Sequence, residues 1–170
     1  MIDLVMVGMM LLSVLLLFAA IPKWVGRADF LVTLKRLGIS GKLASLVIWI
    51  LPLAEVVVGI GIWFEELRML SLIGLFMLTA SFLWAIVRGK SKKLKCNCFG
   101  SMIDEQFGWK TAVRVILMIA IGLFVLYKKS IIPNTSDMEL TDLLWSFILS
   151  VNLFGSYVLA NSLAAYRKHV

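Results

Sequence analysis

Residues 4–21 read LVMVGMMLLSVLLLFAAI, an uncharged and almost wholly apolar run that closes on Pro22 and Lys23. The hydrocarbon core of a bilayer is about 30 Å thick and is crossed by about 20 helical residues, so an uncharged run of 18 or more qualifies as a span. The proline ring blocks a hydrogen bond of the preceding turn, which places the expected end of this first span at Pro22. The segment before it, Met1-Ile2-Asp3, lacks the basic n-region of a secretory signal, and the apolar run is long for one. The run is therefore expected to be retained as a span.

Working outward, the same pattern recurs. Leu43 to Phe64 forms a second apolar run, interrupted by Pro52 and a single carboxylate, Glu55. After the short turn Glu65-Glu66-Leu67-Arg68 comes a third, Met69 to Val87, so the second and third are expected to pair as an antiparallel hairpin. Thr111 to Tyr127 is a fourth, with Arg114 about one turn from its start, and Leu143 to Tyr166 is a fifth, carrying Asn152 and Asn161. The expected spans are 4–22, 43–64, 69–87, 111–127 and 143–166. Between the first two, Phe30, Leu31, Leu34 and Leu37 recur at helical spacing while Asp29, Thr33, Lys35 and Arg36 take the other face. That stripe is too short to cross a bilayer and suits a helix lying in the interface. The expected fold is an all-α membrane protein forming a single integral membrane domain. It has a four-helix transmembrane bundle core, a fifth C-terminal transmembrane helix and an interfacial amphipathic helix.

Composition agrees. Of 170 residues, 61% are apolar and mean hydropathy is +0.98, against about 45–50% apolar in soluble domains. The net charge of +7 is not read as a nucleic-acid footprint, because the basic residues cluster in loops beside apolar runs, where they set topology and meet anionic headgroups. The intervals 23–42 and 88–110 hold five and six Lys or Arg, while 65–68 and 128–142 hold one and two. The charge rule then puts the N-terminus outside and the 88–110 segment on the cytoplasmic side. Trp24, Trp84 and Trp109 fall near span ends, where indoles anchor in the headgroup zone. The lone histidine, His169, is expected to be a solvated tail residue. No phosphate loop, serine triad or carboxylate–histidine cluster occurs, which argues against hydrolases and nucleotide-driven pumps.

The chemistry-bearing stretch is Cys96-Asn97-Cys98-Phe99-Gly100, which holds both cysteines of the chain behind Arg88, Lys90, Lys92, Lys93 and Lys95. Residues two apart on a regular helix point about 200° away from each other, so a helix cannot join them. Fully extended, their Cα atoms lie about 7 Å apart, at the edge of bridgeable geometry. A bend at Asn97 brings them within range, since Asn tolerates the backbone of tight turns. A bridge across so small a ring is strained, and strain makes a disulfide labile and exchange-competent. The preceding cations favour the thiolate, which is the attacking species. The competing reading is a pair of unreactive loop cysteines. A structural zinc needs about four ligands, which one chain with two cysteines and His169 does not supply, so no metal is expected.

Glu55 is the second candidate, because an ionisable group inside a span is costly and usually faces the bundle interior. It is expected to hydrogen-bond a quinone, relay a proton, or pair with Arg88 or Arg114, the alternative being a helix-packing carboxylate. Pro52, one turn earlier, frees a backbone carbonyl that can open a small polar pocket beside it. Gly59 and Gly61 are expected to permit close helix approach.

Arg88-Gly89, a basic spacer and Cys96-x-Cys98-Phe99-Gly100, following helices with Leu51-Pro52-x-x-Glu55, resemble the MauE branch of the MauE/DoxX-like membrane proteins. The resemblance covers about residues 10 to 130. It implies a compact four-helix membrane core in a cell membrane, the bacterial plasma membrane being the expectation. It also implies a thiol–disulfide oxidoreductase role toward a thioredoxin-like partner or cysteine-containing client, with Cys96 and Cys98 as the working pair. Family members often carry glycine where this chain has Asn97, and the fifth run lies beyond the matched region. Oxidation of exported proteins wants the pair near the outer face, whereas loop charges put it inside. The segment therefore re-enters the membrane, or the pair draws on the cytoplasmic side, or the orientation is reversed. Two other readings stand beside this one: a non-catalytic subunit or scaffold of a larger membrane complex, and a quinone-binding protein.

Overall fold

The computed structural model describes residues 4–39, 41–90, 95–96, 105–106, 109–128 and 140–166. Six helices run in order: α1 (Leu4–Val25), α2 (Arg27–Leu37), α3 (Lys42–Gly61), α4 (Glu65–Lys90), α5 (Trp109–Tyr127) and α6 (Leu140–Tyr166). Between α4 and α5, β1 (Lys95–Cys96) pairs antiparallel with β2 (Glu105–Gln106). Three helices, α1, α3 and α4, are long and apolar enough to cross a membrane; α5 and α6 contribute shorter apolar segments, Ala112–Tyr127 and Leu140–Ser156. The protein is a multi-pass helical membrane protein, with those three helices as its clearest spans.

α1 occupies the middle. It packs against α3, α5 and α6, and 61% of its most apolar window is buried, against 33% for α3 and α4. The outer helices turn apolar side chains such as Leu46, Ile50, Leu53, Val57, Ile73 and Met77 outward. Exposed leucines are costly against water and cost nothing against lipid, so this surface belongs in a bilayer. With no hydrophobic drive between spans, close approach and hydrogen bonds must hold them. The expected role of Gly59 and Gly61 is seen here. A Cβ on Gly59 would sit 3.4 Å from the Leu16 Cβ of α1, and one on Gly61 would collide with the Ser71 hydroxyl of α4. Beside Gly59, the Ser13 hydroxyl donates to the Gly59 carbonyl at 2.7 Å and accepts from the Trp63 indole at 2.9 Å. The α1–α3 seam is therefore pinned by a polar contact that the bilayer does not compete for.

Several boundaries differ from expectation. α1 continues through Pro22 to Val25, and the Gly26 N–H bonds the Pro22 carbonyl at 2.8 Å. Proline removes only its own amide donor, a loss that a packed membrane helix absorbs. The α3–α4 turn falls at Ile62–Phe64, and Glu65 and Glu66 open α4, where their charge meets the positive end of the helix dipole. Arg68, expected in the turn, is buried, and its Nε donates to the Ile62 carbonyl at 3.2 Å. Asn152 bonds the Ile148 carbonyl of its own helix rather than a neighbouring helix. The side chain of Asn161 and all of His169 lie outside the described residues.

The amphipathic α2 packs as its stripe implies: Phe30, Leu34 and Leu37 are buried, with Phe30 and Leu34 against Ala44 and Ile48 of α3. It stops at Gly38, whose φ of +99° only glycine adopts without strain. The Ile39 and Gly38 N–H groups return to the Leu34 and Lys35 carbonyls, both at 3.0 Å, closing a Schellman motif.

Candidate functional site

The helix contacts fix which residues share an end of the bundle. Gly59 of α3 meets Ser13 and Leu16 of α1, and Gly122 of α5 meets Leu75 and Phe76 of α4. Farther along, Val115 of α5 clusters with Ile86 of α4 and Leu37 of α2. Both pairs therefore run antiparallel. The C-terminus of α1, all of α2, the N-terminus of α3, the C-terminus of α4 and the β1–β2 ladder consequently meet at one end. The two most basic intervals of the chain share that end.

Cys96 lies in β1, where its backbone pairs with Glu105 of β2, and Lys95 pairs with Gln106. The segment 88–110, read from the sequence only as polar, is thus drawn into a hairpin between α4 and α5. Cys98 and the tip of the hairpin lie outside the described residues, as does the Cys96 side chain.

Deeper in the bundle lies a group the sequence reading missed. The Lys23 Nζ of α1 forms an ion pair and hydrogen bond with Oε1 of Glu55 on α3. Both side chains are sealed from solvent, at 1% and 0% exposure. The partner of Glu55 is therefore Lys23, not Arg88 or Arg114. Seven residues on from the Leu16–Gly59 contact along each antiparallel helix, Lys23 stands opposite Pro52, three residues short of Glu55. Side chains lean toward the N-terminus of their own helix. In an antiparallel pair with this offset, the lysine and the glutamate lean toward each other. The signal was present in the sequence as one lysine closing the first apolar run and one carboxylate inside the second. Lys23 had instead been counted among the loop cations; without it, Arg27, Lys35, Arg36 and Lys42 remain in that interval.

The pair is incompletely satisfied. Glu55 Oε2 has no hydrogen-bond partner among the described residues. The Lys23 ammonium lies 4.9 Å from the centre of the Phe82 ring, a cation–π distance. Lys23 also lines a cavity of about 230 Å³ between α2, α3 and α4, whose walls include Phe30, Leu34, Leu37, Leu51 and Phe82. Of the residues around that cavity, Lys23 alone carries a charge. The space beside Pro52 is therefore an apolar chamber with one cation, rather than the polar pocket expected there.

Arg88 has a different task from the one first considered. Its Nε donates to the Leu37 carbonyl at 2.9 Å, and its guanidinium lies 5.5 Å from the Trp84 ring centre. A cation on the last carbonyls of a helix offsets its negative dipole end, so Arg88 ties the C-terminus of α2 to α4. Arg114 lies half-buried on α5, next to Val115. Among the described residues, no group of three or more His, Cys, Asp or Glu side chains gathers as a metal site.

These features define a helical membrane protein with a buried lysine–glutamate pair and a cysteine-bearing hairpin at one end of its bundle. The chain belongs to the MauE family: the family model described as methylamine utilisation protein MauE matches residues 1–128. That span takes in α1 to α5 and the hairpin and leaves out α6. Comparison with the curated proteins and with the solved structures returned no match.

Proposed function

We propose that this protein is a membrane thiol–disulfide exchanger, with Cys96 and Cys98 as the working pair and a thioredoxin-like protein as the partner, serving methylamine utilisation as the family description suggests. The observation that carries the reading is the placement of the Cys96-x-Cys98 motif. It sits on a hairpin, where adjacent cysteines are free of the helical geometry that would part them. Basic residues precede it, and they favour the thiolate.

The exchange balances without a metal or nucleotide. One cysteine thiolate attacks the partner disulfide, forming a mixed disulfide and expelling one partner thiolate. The second cysteine then attacks its neighbour's sulfur, closing the Cys96–Cys98 disulfide and releasing the partner as a dithiol. Two electrons and two protons pass in total. The steps reverse under a partner of more oxidising potential.

Single-cysteine variants test this. Cys96→Ser and Cys98→Ser each remove one half of the exchange, and the variant that keeps the attacking thiol accumulates the mixed disulfide. A partner-sized adduct on a non-reducing gel, lost in the double variant, is the expected result. Normal function of the double serine variant at normal membrane level would favour a scaffold role in a larger complex instead.

A further inference from the structure

We propose that the cavity between α2, α3 and α4 holds the ring of an isoprenoid quinone, with Lys23 donating a hydrogen bond to a ring carbonyl. At about 230 Å³ the space falls below the roughly 300–1,000 Å³ of drug-sized pockets. It suits one substituted ring whose tail remains outside. Phe30 and Phe82 supply aromatic faces to the wall, and exposed Ser81 and Trp84 border the opening through which a tail reaches lipid.

The polar end selects the ligand. An ammonium has three donors and no acceptor, and among the described residues Lys23 spends one on Glu55 and faces Phe82 with its charge. Glu55 already balances that charge, so the remaining donor capacity calls for a neutral acceptor. A ketone carbonyl provides it. A lipid acyl chain has no acceptor, and a phosphate would bring a second anion into a site already neutral.

The cavity lies at the same end of the bundle as the cysteine hairpin, which gives the ligand a role. Resting on the thiol-exchange reading, the dithiol of Cys96 and Cys98 loses two electrons and two protons to become a disulfide, and the quinone takes up both to become a quinol. One cysteine pair then serves both client and acceptor.

The test separates binding from redox. The Cys96→Ser/Cys98→Ser protein is purified in lipid nanodiscs and photolabelled with an azido-benzoquinone bearing a short prenyl tail. Saturable labelling within Phe30–Leu37 or Ser81–Ala85 is expected. Ala85→Trp, which fills the cavity, and Ser81→Phe, at its rim, should each weaken it at least tenfold while the protein stays monodisperse. Labelling confined to other helices, labelling that does not saturate, or labelling indifferent to both substitutions would overturn the proposal. So would a cavity filled by co-purified phospholipid that the quinone cannot displace. Because the probe is applied to a protein without cysteines, failure of the thiol-exchange reading leaves this result interpretable.

Discussion

Lys23 and Glu55 pair across the α1–α3 seam, fully buried and 32 positions apart in the chain. A charge in a span must find its opposite or a water-filled space, because the lipid offers neither. This pair joins the central helix to its neighbour one turn from the cavity end, where the Ser13–Gly59–Trp63 contact cannot reach. Removing one partner strands the other.

Glu55→Gln should therefore destabilise the protein by about 3–5 kcal/mol, the usual cost of leaving a buried charge uncompensated. The double variant Lys23→Met/Glu55→Gln should recover most of that loss, because no charge is left buried. Reversible unfolding in mixed detergent micelles measures both. A double variant no better than the single one would mean that the pair is not the unit argued here.

Helix approach makes a second prediction. A Cβ at Gly122 would stand 2.8 Å from the Leu75 side chain, and one at Gly61 would overlap the Ser71 hydroxyl. Gly61→Ala and Gly122→Ala should each cost about 1–3 kcal/mol by overpacking. Ser71→Gly should rescue the first and leave the second unchanged, read by the same unfolding measurement.

The end of α2 supplies a third. Gly38→Ala forces a side chain into positive φ and against the Arg88 guanidinium, whose Nη2 would lie 3.3 Å from the new Cβ. Arg88→Leu removes the hydrogen bond to the Leu37 carbonyl. Both should loosen α2 while the long helices stay intact. Faster proteolysis within Arg27–Leu37, with unchanged helical circular dichroism, is the expected outcome.

The apolar runs made the membrane fold legible, because eighteen uncharged residues admit few other readings, and the Phe30–Leu34–Leu37 stripe marked α2 correctly. Helix ends were less legible. Pro22 and the Glu65–Arg68 turn looked like boundaries because local chemistry favours breaks there, but tertiary packing carried α1 through the first and α4 began within the second. Glu55 was visible as a site; its partner was not, because Lys23 looks like a loop cation until α1 and α3 are set antiparallel. The hairpin was hidden for a related reason. Two-residue strands leave no periodic trace, so the polar segment gave no sign that Cys96 would face Glu105 along the backbone.

The most direct test is the thiol state of Cys96 and Cys98 in acid-quenched cells, read as a gel shift with a mass-adding maleimide, with and without reductant in the medium. Thiol exchange predicts an oxidised fraction that falls when reductant is added and returns when it is withdrawn. Cysteines that stay fully reduced under every condition, in cells where the protein works normally, would contradict it.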